Sequence, residues 1–150
     1  EQLEEEGFAQ YETSNFARGG QVSRHNLKYW REVDYLGLGP AAHSSVEGQR
    51  FFFPRDLQAF LAGLSLWDHR VPDGPAGGLE ETLMLRLRLT EGVTRPLVES
   101  LGGSWALLQK KARPLAGAGL VCLEEDRLAL TPQGFLVSNP ILAQLTDICP

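Results

Sequence analysis

The chain has 150 residues, 43% of them hydrophobic, and a formal net charge of −5. That is enough apolar material for one ordinary domain or two small ones, and the negative balance argues against broad, phosphate-driven nucleic-acid binding. Cys122 and Cys149 stand far apart without CxxC spacing, so they form neither a disulfide framework nor a zinc or iron–sulfur motif. A reducing, cytoplasmic compartment fits that usage, and no apolar run is long enough to span a membrane.

In chain order, Glu1–Glu6 reads as the end of a helix stopped by Gly7. With no initiator methionine and no signal-peptide pattern, the expectation is a fragment. Phe8–Phe16 alternates imperfectly and reads as one strand, with polar residues on both faces as a barrel strand carries near its mouth. On it, Tyr11 and Asn15 share one face, and Glu12 and Ser14 the other. Glu12 and Asn15 either line a site or satisfy loop backbone groups. Arg18–Gln21 is a loop, and Ser23 caps a short helix through His25–Trp30.

Arg24-His25-Asn26-Leu27-Lys28-Tyr29-Trp30 brings an imidazole, a carboxamide, cations and two large aromatics together, a mixture no amphipathic pattern requires. His25 and Tyr29 are four apart and share a helix face. An imidazole beside flat aromatic walls can ligate a haem iron or hold a planar ring. It can equally bridge a turn while Tyr29 and Trp30 fill a core.

Asp34–Gly39 reads as a strand followed by a loop over Pro40–Ser45 that carries His43, a residue either in contact with a ligand or bonded within a turn. Arg50–Pro54 is an aromatic run read as packing, and Asp56 caps a helix with Leu57, Phe60, Leu61 and Leu64 on its apolar face. Pro72–Gly78 reads as a linker. The domain expectation is therefore 1–73, a linker at 74–78, and 79–150. Beyond the linker come a helix from Leu79 towards Gly92, a Thr94-capped helix to Leu101, and a Ser104-capped helix to about Ala116 that Pro114 kinks or shortens. A hairpin follows, Val121–Leu123 with Arg127–Leu130, then a Thr131-capped helix that Asn139-Pro140 interrupts before Leu142–Ile148. Three helices, a hairpin and a final helix describe a winged-helix-like α+β module. Its acidic hairpin tip, Glu124–Asp126, argues against DNA binding.

Three blocks carry a resemblance. They are Tyr11-Glu12-Thr13-Ser14-Asn15-Phe16-Ala17, His25-Asn26-Leu27-Lys28-Tyr29-Trp30 and Asp34-Tyr35-Leu36-Gly37-Leu38-Gly39-Pro40-Ala41-Ala42-His43-Ser44. In order and spacing they resemble the later half of the HemW-type haem chaperones, radical S-adenosylmethionine (SAM) proteins related to oxygen-independent coproporphyrinogen III oxidase. The family pattern runs YEISNFA, HNxxYW, DYLGLGxGAHS; this chain departs from it at Thr13 and at Pro40-Ala41. The run from Gly119 to Gly134 also resembles the C-terminal domain attached to these enzymes.

The resemblance implies an α/β fold: the C-terminal part of a partial (β/α) radical SAM barrel over residues 1–73, then the winged-helix-like domain. It implies haem as ligand, with His25 at the iron, Asn26 fixing the ring, Tyr29 and Trp30 walling the porphyrin, and Tyr11, Glu12, Asn15 and His43 lining the site. The partners it implies are haem-accepting proteins, in part membrane-associated. A 4Fe-4S cluster and SAM would belong to the full-length protein. The CxxxCxxC motif that holds the cluster is absent here, so no catalytic residue is assigned and this portion alone should be inactive. Two alternatives stand beside the chaperone: radical decarboxylation of coproporphyrinogen, which HNxxYW and the lack of a basic cluster disfavour, and a non-catalytic winged-helix interaction module. Residues 1–73 alone should behave poorly, because a third of a barrel exposes strand edges and apolar surface.

Overall fold

The structure is a computed structural model that describes residues 2–63 and 65–148. Glu1, Leu64 and Cys149, which entered the sequence reading, lie outside the described residues. The first elements are α1 (Gln2–Glu5), β1 (Phe8–Glu12), β2 (Asn15–Arg18) and α2 (Arg24–Trp30). Next come β3 (His43–Val46), β4 (Gln49–Phe52), α3 (Leu57–Leu61), a 3-10 turn (Leu66–His69) and β5 (Val71–Pro75). The rest is α4 (Leu79–Arg86), β6 (Val93–Thr94), α5 (Arg95–Ser100), α6 (Trp105–Gly117), β7 (Val121–Leu123), β8 (Arg127–Leu130), α7 (Pro132–Leu136) and α8 (Ser138–Thr146). The fold is mixed α/β. It forms two compact units, one of residues 1–31 with 79–150 and one of residues 32–78.

The first unit holds the main core. Along α4 and into the turn after it, Leu79, Leu83 and Leu87 recur every four residues and bury one stripe. That stripe meets Trp105, Leu108 and Ala112 of α6 and Ile141, Leu142 and Leu145 of α8. Each fully buried leucine contributes roughly 1.5–3 kcal/mol. β8 is the central strand of the antiparallel sheet β6-β8-β7, and Leu128, Ala129 and Leu130 on it are all buried. The Trp105 indole N–H finds the Glu125 carbonyl at 2.9 Å, so its polar atom is not stranded in the core. The caps follow the sequence: the Ser104 and Thr131 hydroxyls accept from the Leu107 and Gly134 amides.

Several expectations need correction. Phe8–Phe16 is not one strand but the hairpin β1-β2, turned at Thr13-Ser14. The turn is built by a side chain: the Glu12 carboxylate accepts from the Ser14 amide at 3.1 Å and from the Asn15 carboxamide. The hairpin pairs on to the region after α4 through an antiparallel bridge, Glu12 with Leu89. Thr13 N–H donates to the Arg88 carbonyl at 2.8 Å, and Thr90 N–H to the Tyr11 carbonyl at 3.2 Å. The two-residue strand β6 was not expected. α6 continues through Pro114 to Gly117. The break before the last helix falls at Val137, and Pro140 lies inside the first turn of α8, where a missing N–H costs little.

The second unit is the antiparallel sheet β3-β4-β5 with its flanking loops. Glu47 and Gly48 join β3 to β4 with φ of 51° and 74°, the left-handed pair that a two-residue hairpin needs. The loop expected over Pro40–Ser45 therefore runs into a strand at His43. Asp34–Gly39 makes no strand, only the single bridge Tyr35–Ser45. Gly37 lies so close to β3 that a Cβ there would stand 2.2 Å from the His43 carbonyl oxygen. The stretch read as a linker overlaps strand β5, whose prolines Pro72 and Pro75 suit an edge position. The helix expected over Asp56–Leu66 is five residues long; Asp56 caps it, but Leu57 and Leu61 are exposed.

Candidate functional site

α2 follows from its local sequence. Ser23 is extended at the N-cap (φ −70°, ψ 97°), and its hydroxyl accepts from the Asn26 amide. The Ser23 amide in turn donates to the Tyr11 hydroxyl at 3.2 Å, so β1 fixes where the helix begins. At the other end the Arg86 guanidinium donates to the Arg31 carbonyl at 2.9 Å, and Arg31 pairs with Glu91. Helix ends leave carbonyls unsatisfied, so a cation supplied from α4 suits this position.

Successive helical residues are turned by about 100°, which orders the side chains around α2. Leu27 is buried, Asn26 and Trp30 are half-buried, and His25 and Tyr29 are exposed. His25 Nε2 and the Tyr29 hydroxyl lie 3.1 Å apart, with the rings edge-to-face at 5.1 Å between centroids. A phenol hydrogen-bonded to one imidazole nitrogen fixes the ring orientation and tautomer. His25 Nδ1 has no partner among the described residues. The donor set, an exposed imidazole with one nitrogen held and the other open, fits a planar metallated ligand. Trp30 faces a different neighbour, with the Arg88 guanidinium carbon 5.8 Å from its ring centroid.

The other expected site residues divide. Tyr11 is brought to α2 by its hydroxyl. Glu12 is fully buried, and its carboxylate is spent on the Ser14 amide and Asn15. His43 belongs to the second unit; it stacks on Phe52 at 5.3 Å, and its Nδ1 lies 3.9 Å from an Asp73 carboxylate oxygen. Sequence reading missed Arg86, Arg88 and Glu91, whose roles at α2 no short-range pattern announces. It also missed an open groove of about 590 Å³ lined by Gln10, Phe16, Pro132 and Phe135, among others, which no residue of α2 lines. Among the described residues no group of three or more His, Cys, Asp or Glu could hold a metal ion. No helix among them is long and apolar enough to cross a membrane.

With this geometry in view, comparison with known proteins is informative. Residues 78–137 match the family described as HemN C-terminal domain. The haem chaperone HemW of Bacillus subtilis is 34% identical over 147 residues, covering 93% of this chain and 38% of that protein. The chain belongs with the C-terminal portion of the HemW-type radical SAM proteins. HemW of Synechocystis sp. is 43% identical over 100 residues, 63% of this chain and 24% of its own length. The mitochondrial radical S-adenosyl methionine domain-containing protein 1 of Danio rerio is 33% identical over 157 residues, 93% of this chain and 35% of its length. The chain thus spans about a quarter to two fifths of these HemW-type relatives. In fold it is similar to the Escherichia coli coproporphyrinogen III oxidase HemN, described as a radical SAM enzyme, with a TM-score of 0.62, 21% identity, and coverage of 96% of this chain and 38% of that one.

Proposed function

We propose that this chain is the haem-holding portion of a radical SAM haem chaperone, a protein that binds haem and delivers it to haem-requiring partners. The observation that carries the reading is the His25–Tyr29 pair, an exposed imidazole oriented by a phenol at 3.1 Å on a helix fixed at both ends. A carrier must also release its cargo, and one exposed histidine ligand holds haem without enclosing it. Asn26 borders the same surface, and Trp30, turned toward Arg88, would meet the porphyrin only at its edge. HemW relatives at 33–34% identity over nine tenths of the chain support the chaperone rather than the oxidase. The likeness to coproporphyrinogen oxidase is one of fold.

In this reading the hairpin β1-β2 and residues up to 73 belong to the end of a radical SAM barrel. In the same reading α4, β6, α5, α6, β7 and β8 form a winged-helix-like module that serves as structural support and not as a DNA reader. The 4Fe-4S cluster and SAM sit on the preceding portion of the intact protein, which is cytoplasmic and meets its acceptors there, in part at the membrane. Haem titration of the intact protein tests this, with the visible spectrum recorded for wild type and His25→Ala. Saturable binding that the substitution weakens or shifts spectrally is expected. Haem binding that His25→Ala leaves unchanged in affinity and spectrum would remove His25 from the ligand set and point to His43. Absence of haem binding would leave coproporphyrinogen turnover as the assay to run.

A further inference from the structure

Most basic residues of the first unit are engaged. Arg18 pairs with Glu6, Arg31 with Glu91, Arg95 with Glu99, Lys111 with Asp147 and Arg127 with Glu124. Arg24 and Lys28 are different. Both are exposed on α2, and neither has a hydrogen-bond or ion-pair partner among the described residues. Lys110 and Arg113 also lack a partner among the described residues, but they lie in the middle of α6, beyond its first and last turns, where the dipole does not oppose a cation.

On α2 the dipole opposes Arg24, whereas Lys28 lies in the last turn, where it is favoured. Arg24 is the first residue of the helix, the end at which the peptide dipole favours an acid. Arg24 and Lys28 are four apart, so like charges face each other along one stripe. The helix sequence Arg24–Trp30 contains no acidic residue to relieve them, in a chain of net charge −5. The position of Arg24 and the like-charge spacing give the helix nothing, whereas an anionic ligand would gain from both cations.

The stripe lies about 100° around the helix from His25 and Tyr29, so the four exposed side chains form one continuous face. We infer that Arg24 and Lys28 bind the carboxylate side chains of the planar ligand that His25 and Tyr29 face, the propionate-type acids of a tetrapyrrole. This rests on the reading of α2 proposed above. Iron goes to the imidazole, ring edge to the aromatics, and acid groups to the adjacent cations. Arg24 presents a planar fork to a carboxylate and Lys28 a point charge.

The test uses the intact protein, as wild type and as the double variant Arg24→Gln/Lys28→Gln, titrated with haem and with haem dimethyl ester, whose acids are methylated. Wild type should bind the diacid about three- to thirtyfold more tightly than the diester, the range that two exposed ion pairs supply. The double variant should bind both equally and at the wild-type diester affinity, with an unchanged Soret position because His25 is intact. Added salt should narrow the wild-type preference. Equal binding of diacid and diester by wild type would overturn this inference alone, as would a preference that survives in the double variant. Failure of both ligands to bind would overturn it together with the reading of α2. Binding to vesicles of one-third anionic phospholipid that the double variant loses, with no diacid preference in wild type, would assign the cations to a membrane surface and overturn it too.

Discussion

Replacing Gly134 by alanine should destabilise the protein, although helix propensity says the opposite. Gly134 lies in α7 without a left-handed φ, and at such a position alanine is ordinarily better by about 0.5–1 kcal/mol. Here a Cβ would stand 2.0 Å from the Leu120 carbonyl oxygen and 3.0 Å from its carbon. That carbonyl cannot step aside freely. It accepts from Thr131 N–H at 3.1 Å, while the Leu120 amide donates to Leu115 at 2.9 Å. Thr131 is itself held, since its hydroxyl donates to the Gly119 carbonyl at 2.7 Å and accepts from the Gly134 amide at 3.1 Å. Overpacking costs about 1–3 kcal/mol, and loss of the Thr131–Leu120 bond about 1 more. After the helix gain is subtracted, a net loss of about 1–3 kcal/mol remains, or roughly 5–20 °C in Tm for a unit of this size. Gly117→Ala is the control: Gly117 ends α6, nothing lies within 4 Å of its Cβ position, and the substitution should stabilise by up to about 1 kcal/mol. Urea unfolding followed by far-ultraviolet circular dichroism reads both. If Gly134→Ala proves as stabilising as Gly117→Ala, the Leu120 carbonyl yields without cost and the argument fails.

Leu83→Ala, at a fully buried position on α4, should cost about 2–5 kcal/mol; its exposed neighbour Met84→Ala should stay within about 0.5 kcal/mol in the same unfolding assay. The Lys111 ammonium, by hydrogen bond and charge, holds the Asp147 carboxyl below its ordinary 3.8. A depressed carboxylate contributes stability above its unfolded-state value and loses it as pH falls through the folded-state value. Lys111→Ala should therefore move the Asp147 titration back up toward 3.8, followed by carboxyl NMR, and an unmoved titration would show that the pair does not persist in solution.

The C-terminal elements were legible because their signals are local. Ser104 and Thr131 cap, Pro132 opens a helix, and an acidic turn separates two short apolar runs. The hairpin β1-β2 was hidden because its turn depends on the Glu12 side chain reaching forward, and Thr13-Ser14 carries no glycine or proline. Glu47-Gly48 is a weaker hairpin signal than Asn-Gly, and β5 was masked by prolines that an edge strand tolerates. On α2, the cap and the His25–Tyr29 face could be read from spacing alone. The hold of Tyr11 on Ser23, twelve residues away, and of Arg86 on Arg31, fifty-five away, is tertiary and leaves no periodic trace.

That hold makes occupancy and folding one equilibrium. Because α2 is tied to the unit that also contains α4, α6 and α8, whatever binds α2 only in its native form stabilises the whole unit. The gain is RT ln(1 + [L]/Kd), about 2.7 kcal/mol at a hundredfold excess over Kd. Loading would therefore register as protease resistance in helices that never touch the ligand. By the same reciprocity, a protein that prised α4 from the end of α2 would loosen the ligand without competing for its surface.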